Sequence, residues 1–354
     1  MLALVLLTLV PGELGGSEAA TRELLRALAR RDALPYRVFL PPVAPDGAEG
    51  LPGELVPEYR RARTVPGRLV AMGLAAARPG PLRRRLAAAD AVHYPLTIRL
   101  PSLAAPTAVT LHDVQHLELP QLFSRGERAF RALAYHRSAR SAQIVIVPSA
   151  FVRDRAVRLL GLEPNGVRVI HHGIDHERLR PGSVPREPFL LYPARPWPHK
   201  NHARLYEAFA LARRERPELQ LVLTGGGHTG AAPEGVRVFG NVSGDELVSL
   251  YQRAAALVFP SLYEGFGLPP LEAMACGCPV ACSNAAALPE VCGEAARYFS
   301  PDDPAEIAAA VAEVLDDPAP WSARGIERAA TFTWDRSAEA HEAVYRELLG
   351  DRGA

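Results

Sequence analysis

Short apolar runs bounded by glycine, proline and polar turns alternate with longer amphipathic stretches along the whole chain. Leu2–Val10 predicts a buried first strand, followed by a helix over about Ser17 to Arg31 and a strand over Tyr36–Pro41. Ala91–Tyr94, Thr107–Leu111, Gln143–Pro148 and Val167–His171 read as later strands. Around Arg180 to Pro188 the text becomes RPGSVPREP, which is linker chemistry. The rhythm then restarts with strand Phe189–Tyr192, a helix over about Asn201 to Arg216, strands Leu219–Thr224 and Val236–Phe239, a helix near Asp245–Ala254 and strand Ala256–Phe259. Ala305–Asp316 and Ser337–Leu349 read as closing helices. Strand and helix in strict alternation imply parallel sheets covered on both faces. The expected class is therefore α/β, with two doubly wound Rossmann-like domains facing a central cleft and ligands at the carboxyl ends of the strands. The first domain is expected over 1–182 and the second over 183–334, with a helix over 335–354 packing back on the first.

Length supports two domains, because 354 residues exceed the size at which one core keeps growing. With 48% hydrophobic and 22% charged residues the composition is globular, and a net charge of +1 gives no whole-molecule field for nucleic acid. No nucleic-acid partner is expected. Charge is uneven, however: Arg60, Arg61, Arg63, Arg68, Arg78, Arg83, Arg84 and Arg85 lie between Glu58 and Asp90 with no acid among them. This stretch, interrupted by Pro66, Gly67, Pro79, Gly80 and Pro81, reads as irregular or broken helix. It is either a solvated face or a contact for an anionic acceptor or an anionic membrane surface. The opening MLALVLLTLVPG resembles a signal core but has no basic leader and is far shorter than a membrane span, so the expected location is cytoplasmic, with peripheral attachment to the inner face of the membrane as the further option.

The four cysteines Cys276, Cys278, Cys282 and Cys292 crowd one stretch, where a disulfide framework would be spread. With no histidine among them they read as buried thiols and not as a zinc site. His112 with His116, and His199 with His202, fall in loop text and make poor metal pairs. Gly225, Gly227 and Gly230 form G-x-G-x-x-G after a strand, but Ala231 to Gly235 leads into another strand where a dinucleotide site needs a helix.

Lysine and arginine together number 40, yet Lys200 is the only lysine. In a composition so biased towards arginine, a single lysine is either a chance survivor or the mark of a site that needs a compact ammonium on a flexible stem. The densest chemistry lies in SLYEGFGLPPLEAMACGCPV, Ser261 to Val280. A strand ends near Pro260, a glycine-rich turn follows, and Pro270 is placed as a first helical residue, with Glu272 in the first helical turn. Backbone N–H groups at such a turn and the positive end of the helix suit a diphosphate. Glu264 and Glu272, eight residues apart, suit sugar and ribose hydroxyls.

This segment resembles the E-x7-E signature of the GT-B, retaining glycosyltransferases of family 4, and the resemblance runs the length of the chain. PGELGGSE, HDVQHLELPQLFS with Val114, VPSAFVRD, HHGID, PARPWPHKN and FGNVSGDELVSLYQRA match its other segments in order. The resemblance implies that Arg195 and Lys200 bind the donor diphosphate and that Glu264 holds sugar hydroxyls. It further implies that the backbones of Phe266, Gly267 and Leu268 fix sugar and phosphate, and that Glu272 takes the ribose. His112 is placed beside the reacting sugar, Gly15 and Gly16 near the phosphates, and Val242 near the base. It implies a metal-independent hexosyltransferase that works by front-face substitution, the departing phosphate taking the acceptor proton, with no cofactor. The histidine segment resembles that of bacterial mannosyltransferases, favouring GDP-mannose over UDP-glucose as donor, with a glycan, lipid-linked or small-molecule acceptor. A phosphorylase would need its cofactor on the only lysine, and a catalytically silent sugar-nucleotide-binding protein would not need all five polar candidates.

Overall fold

The structure, a computed structural model, describes residues 1–60, 62 and 64–350; Arg61 and Arg63 of the arginine-rich stretch and residues 351–354 of the expected final helix lie outside the described residues. The chain divides into two compact units, Met1–Gly173 with the segment from Trp334 onward, and Ile174–Thr333.

In the first unit, β1 (Leu2–Val5), β2 (Tyr36–Leu40), β3 (Gly53–Leu55), β4 (Ala91–Tyr94), β5 (Thr107–Thr110), β6 (Ile144–Val147) and β7 (Val167–Val169) form one sheet in the order β3-β2-β1-β4-β5-β6-β7. Every pairing is parallel. Strands buried on both faces need apolar residues at every position, which is why LALV and IVIV are continuous runs. Only the first four residues of the expected Leu2–Val10 strand are in the sheet. Leu6 makes one last bond to the Phe39 carbonyl at 2.9 Å, the Leu9 N–H turns back to the Leu6 carbonyl at 2.9 Å, and the segment stays buried as a turn.

The helices of this unit are α1 (Gly16–Arg31), α2 (Val65–Ala77), α3 (Gly80–Arg85), α4 (Gln115–Glu118), α5 (Arg125–Arg131), α6 (Arg137–Ser141) and α7 (Ala150–Leu160), with the C-terminal helix Trp334–Leu349. The arginine-rich stretch is thus two helices broken at Arg78 and Pro79. Its Arg85 is bound by Glu54 at 2.7 Å and Glu58 at 2.6 Å, acids that precede the stretch. The C-terminal helix packs on α1, where both nitrogens of the Arg31 fork donate to Glu342, at 2.9 and 3.0 Å. Glu342 is fully buried, so this two-point pairing offsets a desolvation that a lone carboxylate could not sustain.

The second unit holds β8 (Glu187–Pro193), β9 (Gln220–Thr224), β10 (Val236–Gly240), β11 (Ala254–Phe259), β12 (Val280–Ser283) and β13 (Arg297–Phe299), in the order β10-β9-β8-β11-β12-β13 and again all parallel. Its helices are α8 (His202–Glu215), α9 (Gly244–Arg253), α10 (Leu268–Ala275), α11 (Leu288–Cys292), α12 (Pro304–Asp316) and α13 (Pro318–Ala330). The expected boundary at residue 182 moves to Gly173. Ile174 donates to the Phe332 carbonyl at 3.1 Å and bridges Thr333, and the Arg180 carbonyl accepts from Gln252 at 2.8 Å, so 174–182 are bonded into the second unit. All four cysteines are free and buried, and burial pushes the Cys276 and Cys278 thiols up to about 12. Among the described residues no helix is long and apolar enough to cross a membrane.

Candidate functional site

In each sheet the strand order reverses between two neighbours, β1 and β4 in the first and β8 and β11 in the second. Connections leaving such a pair diverge and open a crevice at the carboxyl ends. In the second unit Lys200 follows β8, in the short turn Pro198–Lys200, and Glu264 follows β11. Their side chains meet, with Lys200 Nζ donating to Glu264 Oε1 at 2.6 Å and only 12% and 13% of the two side chains exposed.

The backbone around Lys200 is held from several sides. Tyr192, a buried strand residue of β8, donates its hydroxyl to the Lys200 carbonyl at 2.6 Å, and the Leu262 N–H donates to the His199 carbonyl at 2.8 Å. Asn201 adopts a left-handed φ of 59° and donates from Nδ2 to the carbonyls of Pro260 and Pro301, at 3.2 and 2.7 Å. The lysine turn is thereby tied to the segment carrying Glu264. The ammonium also lies 5.2 Å from the Phe259 ring centre, a favourable cation–π distance. Arg195 lies earlier in the same connection, its guanidinium 5.8 Å from the Trp197 ring. Gly225 approaches the backbone of this connection so closely that an added Cβ would fall 3.0 Å from the Arg195 main-chain nitrogen, on a backbone with φ of 102°.

After β11 the turn ends at Gly267, whose φ of 106° caps α10. The helix begins at Leu268, two residues before the expected Pro270. The reason is that Gly267 supplies the left-handed entry and proline is tolerated in the first turn, where an N–H has no intrahelical partner. Pro269 and Pro270 have no N–H, so the donors this helix start can present are those of Gly267 and Leu268. Phe266 is buried, edge-on to Phe332 at 5.8 Å. The earlier start also corrects Glu272, which is the fifth residue of α10 and lies beyond its first turn. Glu272 accepts a 2.8 Å hydrogen bond from Tyr251, a fully buried residue of α9. Val242 lies between β10 and α9, half-buried, beside Ser243, which caps α9 in a reciprocal box with Glu246. The structure therefore joins Lys200 with Glu264 and gives Glu272 a different partner.

In the first unit Gly15 precedes α1 with φ of 59°, and an added Cβ at Gly16 would meet no protein atom within 4 Å. The loop before them is closed by Glu18, which accepts from the Gly12 N–H at 2.8 Å and pairs with Arg22 at 3.1 Å. His112 follows β5 and donates from Nε2 to the Pro95 carbonyl at 2.8 Å, just beyond β4. A carbonyl only accepts, so the proton is on Nε2 and Nδ1 presents a lone pair. Burial lowers its pKa, against the opposing pull of the Pro95 carbonyl, and the ring is neutral at neutral pH.

Two family models together match residues 14–332 of the chain. Residues 14–178 match the model of Glycosyltransferase Family 4, and residues 174–332 match that of Glycosyl transferases group 1. The chain belongs to the group 1 glycosyltransferases of family 4. It is 29% identical over 278 residues to an Escherichia coli O-antigen chain mannosyltransferase B, covering 70% of this chain and 71% of that one. It is 30% identical over 277 residues to a D-inositol 3-phosphate glycosyltransferase of Saccharomonospora viridis, covering 69% of this chain and 64% of the relative's length. A sucrose-phosphate synthase structure from Thermosynechococcus elongatus shares the fold with a TM-score of 0.80 at 22% identity, over 99% of both chains.

This glycosyltransferase thus has the GT-B arrangement of two Rossmann-like α/β units. Sequence reasoning missed three residues that shape its candidate site, namely Tyr192, Asn201 and Tyr251. Tyr192 and Tyr251 are fully buried phenols with polar partners, and for Tyr192 the available signal was a tyrosine closing the apolar run Phe189–Leu191.

Proposed function

We propose that this glycosyltransferase moves a hexose, mannose from GDP-mannose, onto a glycan, lipid-linked or small-molecule acceptor with retention at the anomeric carbon. The observation that carries this reading is the Lys200–Glu264 pair at 2.6 Å, set beside a glycine-capped helix start at the carboxyl end of the β8–β11 switch point. A donor diphosphate there would find the Lys200 ammonium, the Arg195 guanidinium and the N–H groups of Gly267 and Leu268. Glu264, already held by Lys200, would accept from sugar hydroxyls, and Glu272, held by Tyr251, from the ribose. Charge that develops on the departing phosphate is offset by cations fixed before the reaction, so little reorganisation is needed. With those cations in place the reaction calls for no metal ion and no cofactor, and the phosphate oxygen that leaves the sugar takes the acceptor proton. Neutral His112 presents Nδ1 as an acceptor for a sugar hydroxyl. Gly15 and Gly16 leave room for the phosphates, and Val242 contacts the base.

Mannose is favoured by the mannosyltransferase relative and by the histidine segment His112 to Ser124. The decisive experiment is a radiolabelled transfer and hydrolysis panel of GDP-mannose and UDP-glucose, run with and without a chelator. NMR of the new anomeric centre would report its configuration. Faster use of UDP-glucose would replace the donor, an inverted product would remove the front-face mechanism, and inhibition by the chelator would remove metal independence.

We further read α2 and α3 as a face for peripheral contact with an anionic membrane on the cytoplasmic side. Leu69, Val70 and Leu74 of α2 are 46%, 48% and 47% exposed, beside arginines with no intervening acid. Sedimentation with phosphatidylglycerol vesicles tests this, and equal retention by phosphatidylcholine vesicles would count against it.

A further inference from the structure

A cavity of about 390 Å³ opens in the first unit between α4 and α5, lined by His116, Leu117, Arg125, Arg128, Ala129 and Ala132. None of these is among the donor candidates above. Its electrostatics are unbalanced. The nearby acids are each taken: Asp113 pairs with Arg131 at 3.4 Å, and Glu118 with Arg155 at 2.8 Å and Arg158 at 3.5 Å. Glu127, between the two lining arginines, is turned back into the Ser124 cap. Arg125 and Arg128 have no acidic partner among the described residues, although α5 places them one turn apart and both line the cavity.

His116 adds an unsatisfied donor position. It is 2% exposed, its Nδ1 has no partner in the protein, and its Nε2 lies 2.8 Å from His136 Nε2. Two imidazole nitrogens at that distance share one proton between a donor and an acceptor. If His136 supplies the proton, His116, a residue of the cavity wall, must carry its own on Nδ1, where the protein offers no acceptor. A buried donor without an acceptor is costly, and an anion between the arginines would remove the cost. The groups facing His116 are Arg131, Arg128 and His136, which disfavour its protonation, and Asp113, which favours it; burial is the largest influence and lowers it to about 4. The ring is thus neutral at neutral pH, and a bound anion selects its tautomer without charging it.

We propose that this cavity seats a phosphate-type oxyanion of the acceptor, gripped by Arg125 and Arg128 with His116 Nδ1–H as the third donor. This deepens the transferase reading by naming an acceptor class, but the binding event itself needs no turnover. The anion could belong to a soluble phosphorylated acceptor or to a lipid headgroup.

The test is a titration of the full chain with inorganic phosphate, followed by nitrogen NMR of the histidine rings. Lys200→Ala is used to silence phosphate binding at the donor site. The expected result is a shift of His116 towards the Nδ1–H tautomer, with affinity weakened tenfold or more in the Arg125→Gln/Arg128→Gln variant. Both arginines are exposed, so that variant is expected to fold. An unchanged His116 signal, or equal affinity in the variant, overturns the proposal. Given phosphate binding, phosphatidylglycerol vesicles that retain the wild type and lose the variant assign the anion to a lipid headgroup. Phosphate binding without a difference on vesicles assigns it to a soluble acceptor. A failed sugar-transfer assay would remove the proposed function and leave this titration untouched, and the reverse also holds.

Discussion

Lys200 and Glu264, 64 residues apart in sequence, share a hydrogen bond of 2.6 Å in which the chain's one lysine ammonium is already neutralised. On the proposed function, a diphosphate bound there would share that ammonium with the carboxylate. The cation is therefore oriented before the substrate binds, and the carboxylate keeps its remaining lone pairs for hydroxyl donors.

Lys200→Ala and Arg195→Ala are each expected to lower turnover about a hundredfold, since losing one preorganised charge contact costs about 3 kcal/mol. Lys200→Arg is also expected to be impaired, because a planar fork cannot reproduce the single-point contact with Glu264. Steady-state kinetics on variants with native circular dichroism will show this, and near-normal turnover in both alanine variants would remove the phosphate role. Because the two side chains touch, Lys200→Ala and Glu264→Ala should be non-additive, with a coupling of about 0.5–3 kcal/mol in a double-mutant cycle.

Glu272→Ala should weaken donor binding more than it slows the chemical step, the ribose being remote from the reacting carbon, while Glu264→Ala should do the reverse. Tyr251→Phe removes only the hydroxyl that orients Glu272 and should resemble a mild Glu272 variant, raising the donor Kd by roughly fivefold for a loss of about 1 kcal/mol. Calorimetric donor titrations separate these outcomes. A Tyr251→Phe variant with altered kcat and unaltered donor affinity would contradict the orienting role.

Gly267 combines φ of 106° with a neighbour, Leu288 Cδ2, only 2.7 Å from where a Cβ would stand. Gly161 has φ of 64° at the end of α7 and open space around it. Gly267→Ala should therefore cost more stability than Gly161→Ala, for which about 1 kcal/mol is the expected scale. Urea unfolding of the two variants provides the comparison. Equal losses would mean that Leu288 moves aside freely.

Stability should fall with acid. His116 and His341 are buried, and burial lowers each from 6.5 to about 4. A depressed histidine means that the unfolded chain binds more protons than the folded one between those two values. The stabilisation from keeping each ring neutral is complete above pH 6.5 and is lost as pH falls towards 4. Each ring should contribute a loss of up to about 1.4 kcal/mol per pH unit in that window. Urea midpoints at pH 7.5 and pH 5 measure this, and a flat profile would falsify the assignment.

The fold class could be read from the chain because strand and helix periodicity are local properties, and parallel strands covered on both faces admit little besides apolar runs. The elements that escaped sequence reading have no such run or sit inside other motifs. Gly53–Leu55 and Arg297–Phe299 are three-residue edge strands, and Val280–Ser283 lies within the cysteine-rich text. Residue chemistry likewise singled out Lys200, Glu264 and Glu272 as types suited to a phosphorylated sugar. Which of them touch was decided only in three dimensions. The strand order brings the connection after β8 against the one after β11, so Lys200 meets Glu264, whereas Glu272, one turn into α10, faces Tyr251 on α9. A hydrogen bond joins residues that the sheet order makes neighbours, and sheet order is a property of the assembled core.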